Sequence, residues 1–185
     1  MQYDPVLYTG RPAEKREERE ERCYDLLDAL KVSYVRVDHE RADTIADCEQ
    51  VEGLLGAKIC KNLFLTNRQQ TDFYLLLMPG EKPFKTKLLS RQIGSARLSF
   101  AGEADMEQLL GLSPGSVSVL GLMHDKDKAV TLLIDRDVLL EESFGCHPCR
   151  NTSSLRFSTK ALLETILPAL GHEPRLVELP WVIEE

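Results

Sequence analysis

Two apolar runs constrain this chain most. Cys60-Lys61-Asn62-Leu63-Phe64-Leu65 and Phe73-Tyr-Leu-Leu-Leu-Met78 are short and nearly continuous, the pattern of largely buried strands. Polar Thr66-Asn67-Arg68-Gln69-Gln70 lies between them, and Pro79-Gly80 stops the second. Ile59–Leu65 and Phe73–Met78 are therefore predicted to form a hairpin. Such a strand seldom begins Lys-Asn, because desolvating an ammonium is expensive. Lys61 has two readings. Its amine reaches water from a strand end while its stem packs, or it lines a pocket and offers positive charge to an anion or a developing oxyanion.

Helical patterns alternate with further strands. Mixed charges from Arg11 to Arg22 run into Cys23, Leu26, Leu27 and Leu30 at i, i+3, i+4 and i+7, which predicts one helix with a solvated first half and a buried second half. The charged segment 1–22 is thus read as helical, 23–180 as the body of the domain and 181–185 as a loosely held tail. Val32–Val37 reads as a strand. Thr44 and Asp47 resemble a capping box for a helix that turns Ile45, Cys48, Val51 and Leu55 inward and ends near Gly56. A basic helix is predicted near Lys85–Ile93, a strand at Arg97–Phe100 and a helix over Glu103–Leu110. Val117–Leu122 and Ala129–Ile134 flank Asp125-Lys-Asp-Lys128 and read as a second hairpin. Ser158 caps a helix through Leu170 with Gly171 as its C′ residue, and Arg175–Leu179 is a last extended piece. Hairpins replacing strict βαβ alternation favour a mixed α+β arrangement over a doubly wound parallel sheet.

At 185 residues the chain is most simply one domain. No run is long and apolar enough to span a bilayer, and the N-terminus lacks the features of a signal peptide, so a cytoplasmic location is expected, with no membrane partner. Nothing in the sequence calls for more than a monomer. A net charge of −7 argues against unspecific nucleic-acid binding over the whole surface. One stretch departs from that balance: Lys82 to Gly102 holds Lys82, Lys85, Lys87, Arg91 and Arg97 and no acidic residue. It is either a solvated helix face or a phosphate-contacting patch.

Cys146-His147-Pro148-Cys149 is the most conspicuous short motif. A redox dithiol calls for a preceding strand and a long helix opening at the first cysteine, and a structural zinc site calls for four ligands; the surroundings supply neither. No cofactor and no metal are expected. His147, with Asn151 and Thr152 beyond Pro148, puts polar groups in a stiffened loop suited to orienting a ligand. His39 sits in a loop-to-helix turn before Thr44 and is a capping or a packing histidine. Gly115-Ser116-Val117-Ser118 follows Pro114 into an apolar run. Glycine there allows close approach of a ligand, and successive N–H groups could cradle an oxyanion.

In chain order, Asp38-His39-Glu40 with Thr44, Lys61-Asn62-Leu63-Phe64-Leu65, Pro114-Gly115-Ser116-Val117-Ser118, His147-Pro148 with Asn151-Thr152, and Gly171-His172-Glu173-Pro174 resemble the freestanding prolyl-tRNA editing proteins. These are YbaK-like aminoacyl-tRNA deacylases related to the editing domain inserted in bacterial prolyl-tRNA synthetase. The resemblance implies a single α/β domain of mixed α+β type with a curved mixed sheet flanked by helices. It implies hydrolysis of the ester in a mischarged tRNA, alanyl-tRNA(Pro) above all and cysteinyl-tRNA(Pro) as the alternative within the family; a non-catalytic aminoacyl-tRNA or amino-acid binding protein is a reading of another class. Lys61 becomes the key active-site lysine. His39, Thr44, Asn62, Gly115, Ser116, Val117, Ser118, His147 and Asn151 become substrate-binding residues, and Lys82, Lys85, Lys87, Arg91 and Arg97 tRNA-binding ones. The implied partner is the acceptor end of tRNA(Pro), delivered by prolyl-tRNA synthetase or an elongation factor. One departure stands out. The family loop opening at Gly115 ends in proline, where this chain has Val119, and valine does not fix φ.

Overall fold

The computed structural model describes residues 1–42 and 45–183, without the side chains of 45 and 46. Its elements, in order, are β1 (Tyr8–Thr9), α1 (Glu18–Ala29), β2 (Val35–Asp38), α2 (Ile45–Leu55), β3 (Lys61–Asn67), β4 (Phe73–Met78), α3 (Thr86–Ile93), β5 (Leu98–Phe100), α4 (Glu103–Leu110), a 3₁₀ turn (Val119–Met123), β6 (Val130–Asp135), a second 3₁₀ turn (Arg136–Leu140), β7 (Ser143–Cys146) and β8 (Ser153–Ser158). Then α5 (Thr159–Ala161) runs through a π-helical turn (Leu162–Ile166) into α6 (Leu167–Leu170), and β9 (Arg175–Val177) closes the series.

The predicted hairpin forms: β3 and β4 pair antiparallel from Lys61–Met78 to Thr66–Phe73. They lie inside a five-stranded mixed sheet of order β5-β3-β4-β6-β9. Leu75, Leu77, Leu132 and Ile134 join one apolar cluster and Leu65, Leu76, Met78 and Leu133 another, so β4 and β6 alternate inward to the two faces. The single curved sheet is divided. A second, antiparallel sheet of order β1-β2-β8-β7 stands beside the first. The two touch through an isolated parallel bridge between Ile59 and Gly145, where Cys60 N donates to Gly145 O at 3.3 Å. A Cβ on Gly145 would lie 2.6 Å from the Lys58 carbonyl oxygen, so only glycine permits this approach.

Two further expectations change. The helix predicted over the charged N-terminal segment begins only at Glu18, because Arg11 and Arg16 turn back on acidic partners. Arg11 bonds Glu21, Asp25 and Asp28, and Arg16 bonds Asp38. The second hairpin is absent. Val119–Met123 is a buried 3₁₀ turn capped by Ser118, and β6 pairs instead in parallel with β4. The predicted capping box rests on Thr44, which lies outside the described residues.

Candidate active site

Where the start of β3 and the end of β4 meet β7 of the other sheet, a cleft of about 580 Å³ opens. Ile59, Cys60, Lys61, Asn62, Pro79 and Gly80 form one wall, α2 contributes Cys48, Glu49 and Glu52, and Gly115, Val117, Val138, Phe144, His147 and Trp181 close the rest. Lys61 is here because β3 begins with it: the residues after it pair along β4, and its own side chain falls at the strand mouth. Its Nζ donates to the main-chain oxygen of Lys82 at 2.9 Å. Burial lowers the pKa of this amine. The lysine therefore combines a desolvated position with a neutral carbonyl partner, which leaves ammonium protons for a ligand. Beside it Asn62 Nδ2 donates to Cys60 O at 2.8 Å, while its Oδ1 is buried and meets no donor among the described residues, an acceptor suited to a ligand hydroxyl or ammonium.

His147 forms the opposite side. Its Nδ1 lies 2.9 Å from Ser153 O, an acceptor only, so Nδ1 carries the proton and Nε2 is bare. Burial pushes the imidazole pKa down to about 4, with a smaller contribution from His39. At neutral pH it is an uncharged acceptor. The loop Gly115–Ser118 is locked to it: Ser118 Oγ donates to His147 O at 2.6 Å and accepts from Leu120 N at 3.2 Å. That bracket ties the loop at Ser118, with Val119 fully buried behind it. Gly115 has φ +82°, and a Cβ there would meet the Arg41 guanidinium at 3.0 Å. Ser116 N is engaged by Ser113 O.

Several expected site residues do not line the cleft. His39 is buried, with Nδ1 bonded to Glu40 O at 2.7 Å and Nε2 to Ser154 Oγ at 2.8 Å; it packs edge-on against His147 at 5.9 Å and does not line the cleft. Asn151 clamps Ala42, donating to its carbonyl at 2.6 Å and accepting from its N–H at 3.2 Å. Of the glycine loop, Gly115 and Val117 line the cleft, whereas Ser116 and the buried Ser118 do not. Thr44 lies outside the described residues.

Lys82 requires a correction. It is 1% exposed, and its ammonium binds Asp135 at 2.8 and 3.0 Å and Asp137 at 2.9 Å. Burial opposes the charge, but these bonds outweigh it and raise the pKa. It is not a surface cation. Lys85, Lys87, Arg91 and Arg97 are exposed. The cysteine motif is packed away: Cys146 is fully buried and its thiol is pushed well up by burial, and Cys149 is 4% exposed. No cluster of three potential metal ligands occurs among the described residues.

Sequence reasoning also passed over the acidic side of the cleft. Glu49, Glu52, Glu81, Asp137 and Glu141 line it. Glu81 is paired with Lys58 at 2.9 Å and Asp137 with Lys82. Glu52 Oε1 accepts from Ile59 N at 2.7 Å, while burial raises its pKa. A ligand with positive charge at one end and a polarised carbonyl or phosphate at the other suits this lining.

Fold and cleft together define an α+β domain whose pocket holds a desolvated lysine beside a neutral histidine and an acidic wall. The sequence matches the aminoacyl-tRNA editing domain family over residues 39–165, and the chain belongs to that family: it is an aminoacyl-tRNA deacylase, a hydrolase of the ester linkage. It is 31% identical over 153 residues to the prolyl-tRNA editing protein ProX of Acetoanaerobium sticklandii, covering 83% of this chain and 93% of that protein. It is 27% identical over 165 residues to prolyl-tRNA synthetase associated domain-containing protein 1 of Danio rerio, covering 88% and 86% of the two. A crystal structure of a candidate trans-editing enzyme for prolyl-tRNA synthetase shares the fold at a TM-score of 0.65 and 17% identity, over 89% of this chain and 98% of that one. Among the described residues no helix is long and apolar enough to cross a membrane.

Proposed function

We propose that this protein edits tRNA(Pro) in trans, hydrolysing alanyl-tRNA(Pro) and sparing prolyl-tRNA(Pro) in the cytoplasm, with prolyl-tRNA synthetase or an elongation factor delivering the substrate. The observation that carries this reading is the Lys61 ammonium, desolvated at the cleft mouth and held by one neutral carbonyl. The similarity to ProX supports the choice of tRNA. An aminoacyl ester is already activated, so the protein must orient a water and stabilise the tetrahedral oxyanion. Lys61 binds the ester oxygen as charge develops. His147 Nε2, neutral and weakly basic, accepts a hydrogen bond from the water or the terminal ribose hydroxyl. Asn62 Oδ1 and the Glu52 carboxylate face the part of the ligand that carries the α-ammonium. Gly115 and Val117 bound the side-chain end, where a small pocket admits alanine and rejects the larger ring of proline by size.

The test is deacylation of tRNA(Pro) charged with alanine, cysteine, serine or proline, by wild type and Lys61→Ala. Alanine should leave fastest, and Lys61→Ala should lose about 10²–10³-fold in rate, the cost of removing an oxyanion donor. Faster release of proline would refute the reading, faster release of cysteine would move the substrate to cysteinyl-tRNA(Pro), and an unaffected Lys61→Ala would return the lysine to a strand-end role.

A further inference from the structure

We propose that Trp181 is a stacking platform for an unpaired base at the acceptor end of the tRNA substrate. This rests on the substrate reading above and adds a residue outside the family match, which ends at residue 165. Residues 178–181 are held by hydrogen bonds. Beyond β9, Gln92 of α3 clasps Glu178 in both directions, Nε2 donating to Glu178 O at 2.8 Å and Oε1 accepting from Glu178 N at 2.7 Å. Leu179 is buried, and its N–H reaches Asp135 Oδ2 at 3.3 Å. Trp181 Nε1 then donates to Asp137 Oδ2 at 2.6 Å, and the Lys82 ammonium lies 5.2 Å from the centre of the indole, over one face.

These contacts fix the ring by its N–H edge and one face. It nevertheless remains 52% exposed and lines the mouth of the cleft. An indole serving only to fasten the tail would gain by burying more of itself. This one presents its remaining surface beside the ester site, since the residue whose ammonium backs it, Lys82, also supplies the carbonyl that holds Lys61. Aromatic faces of this kind bind unpaired bases without regard to their hydrogen-bonding edges. The nucleotides that follow the last base pair of a tRNA acceptor stem are unpaired and lead directly to the ester. Glu178, three residues before the indole, is clasped to α3, which bears exposed Lys87 and Arg91, cations that could contact phosphates of the same strand.

Trp181 is the chain's single tryptophan, so indole emission reports this residue alone. Titration with deacylated tRNA and with the trinucleotide CCA should quench emission saturably and shield the ring from acrylamide. Trp181→Ala should lower kcat/KM for alanyl-tRNA(Pro) about 5- to 150-fold, the range expected for one stacked base, and Trp181→Phe should recover most of that loss because it keeps an aromatic face. Unchanged emission at concentrations where filter binding shows tRNA bound would overturn the platform. So would Trp181→Phe as impaired as Trp181→Ala, which would assign the ring's role to its bond with Asp137. If wild type leaves alanyl-tRNA(Pro) intact while CCA still quenches the indole, the substrate reading fails and the platform stands. If wild type deacylates and Trp181→Ala matches it, the platform alone fails.

Discussion

Replacing Lys82 by methionine tests whether this cation belongs to the interior. Lys82 and Asp135 are 1% and 0% exposed in their side chains, and Lys82→Met keeps the stem's length while removing the charge. Breaking a buried pair from one side costs about 3–5 kcal/mol, because the remaining charge stays buried without its partner. Asp135 retains two backbone donors, Asp137 N at 3.0 Å and Leu179 N at 3.3 Å, which places the expected loss near the lower end, about 3 kcal/mol. For a domain of this size that corresponds to a fall in Tm of roughly 6–12 °C. Urea unfolding followed by circular dichroism at pH 7 measures it. The double variant Lys82→Met/Asp135→Asn removes both charges and should recover about 1–2 kcal/mol relative to Lys82→Met alone, a coupling that independent sites would not show. A Lys82→Met protein within about 0.5 kcal/mol of wild type, against the loss expected for a buried pair, would refute the buried pairing and return Lys82 to the set of surface cations.

Two other predictions concern the basic face and pH. Changing exposed Lys85, Lys87 and Arg91 to alanine together should weaken tRNA binding and flatten its log–log salt dependence by roughly 2–3 units; an unchanged slope would make the segment a solvated face. His147, neutral in the fold with a pKa near 4 against an ordinary value near 6.5, binds fewer protons folded than unfolded between those values. Its contribution is therefore present above pH 6.5 and lost as pH falls towards 4, about 3 kcal/mol in total. Unfolding titrations of wild type and His147→Gln should diverge in slope across that window, and parallel curves would contradict the assignment.

The parts of the fold that sequence reasoning reached are those with a local cause. Phe73–Met78 is a strand because an apolar run is bounded by polar residues and Pro79-Gly80, and Glu103–Leu110 is a helix ending at left-handed Gly111. Val117–Leu122 went wrong because a short apolar run carries no information on whether it is strand or turn; here the Ser118 cap wins and the run coils. The parallel pairing of β6 with β4 joins residues 57 apart in sequence, as Phe73 with Val130, and no local pattern encodes it. Lys82 was misplaced for the same reason, since Asp135 and Asp137 lie 53 and 55 residues further on. The place of Lys61 in the cleft was legible because a cation at the head of an apolar strand conflicts with its surroundings, and such conflicts gather at functional sites. His39 and Asn151 carry no comparable conflict; whether a polar loop residue faces the cleft or braces it depends on partners that only the fold brings together.

On the proposed reading, Lys61 and His147 turn that conflict into chemistry. Burial lowers both pKa values, with opposite consequences for charge. The histidine, displaced to about 4, is uncharged at neutral pH and places no competing cation in the cleft. The lysine meets a neutral carbonyl, and among the described residues no carboxylate holds its ammonium in an ion pair that a substrate would have to break. On that reading a carbonyl oxygen that gains negative charge near Lys61 meets a donor partly desolvated and held by one carbonyl, and such a donor stabilises the transition state more than the neutral ester. The neighbouring acids suit this reading: Glu81 and Asp137 are paired with Lys58 and Lys82, which leaves the Lys61 ammonium to the oxyanion it is proposed to meet.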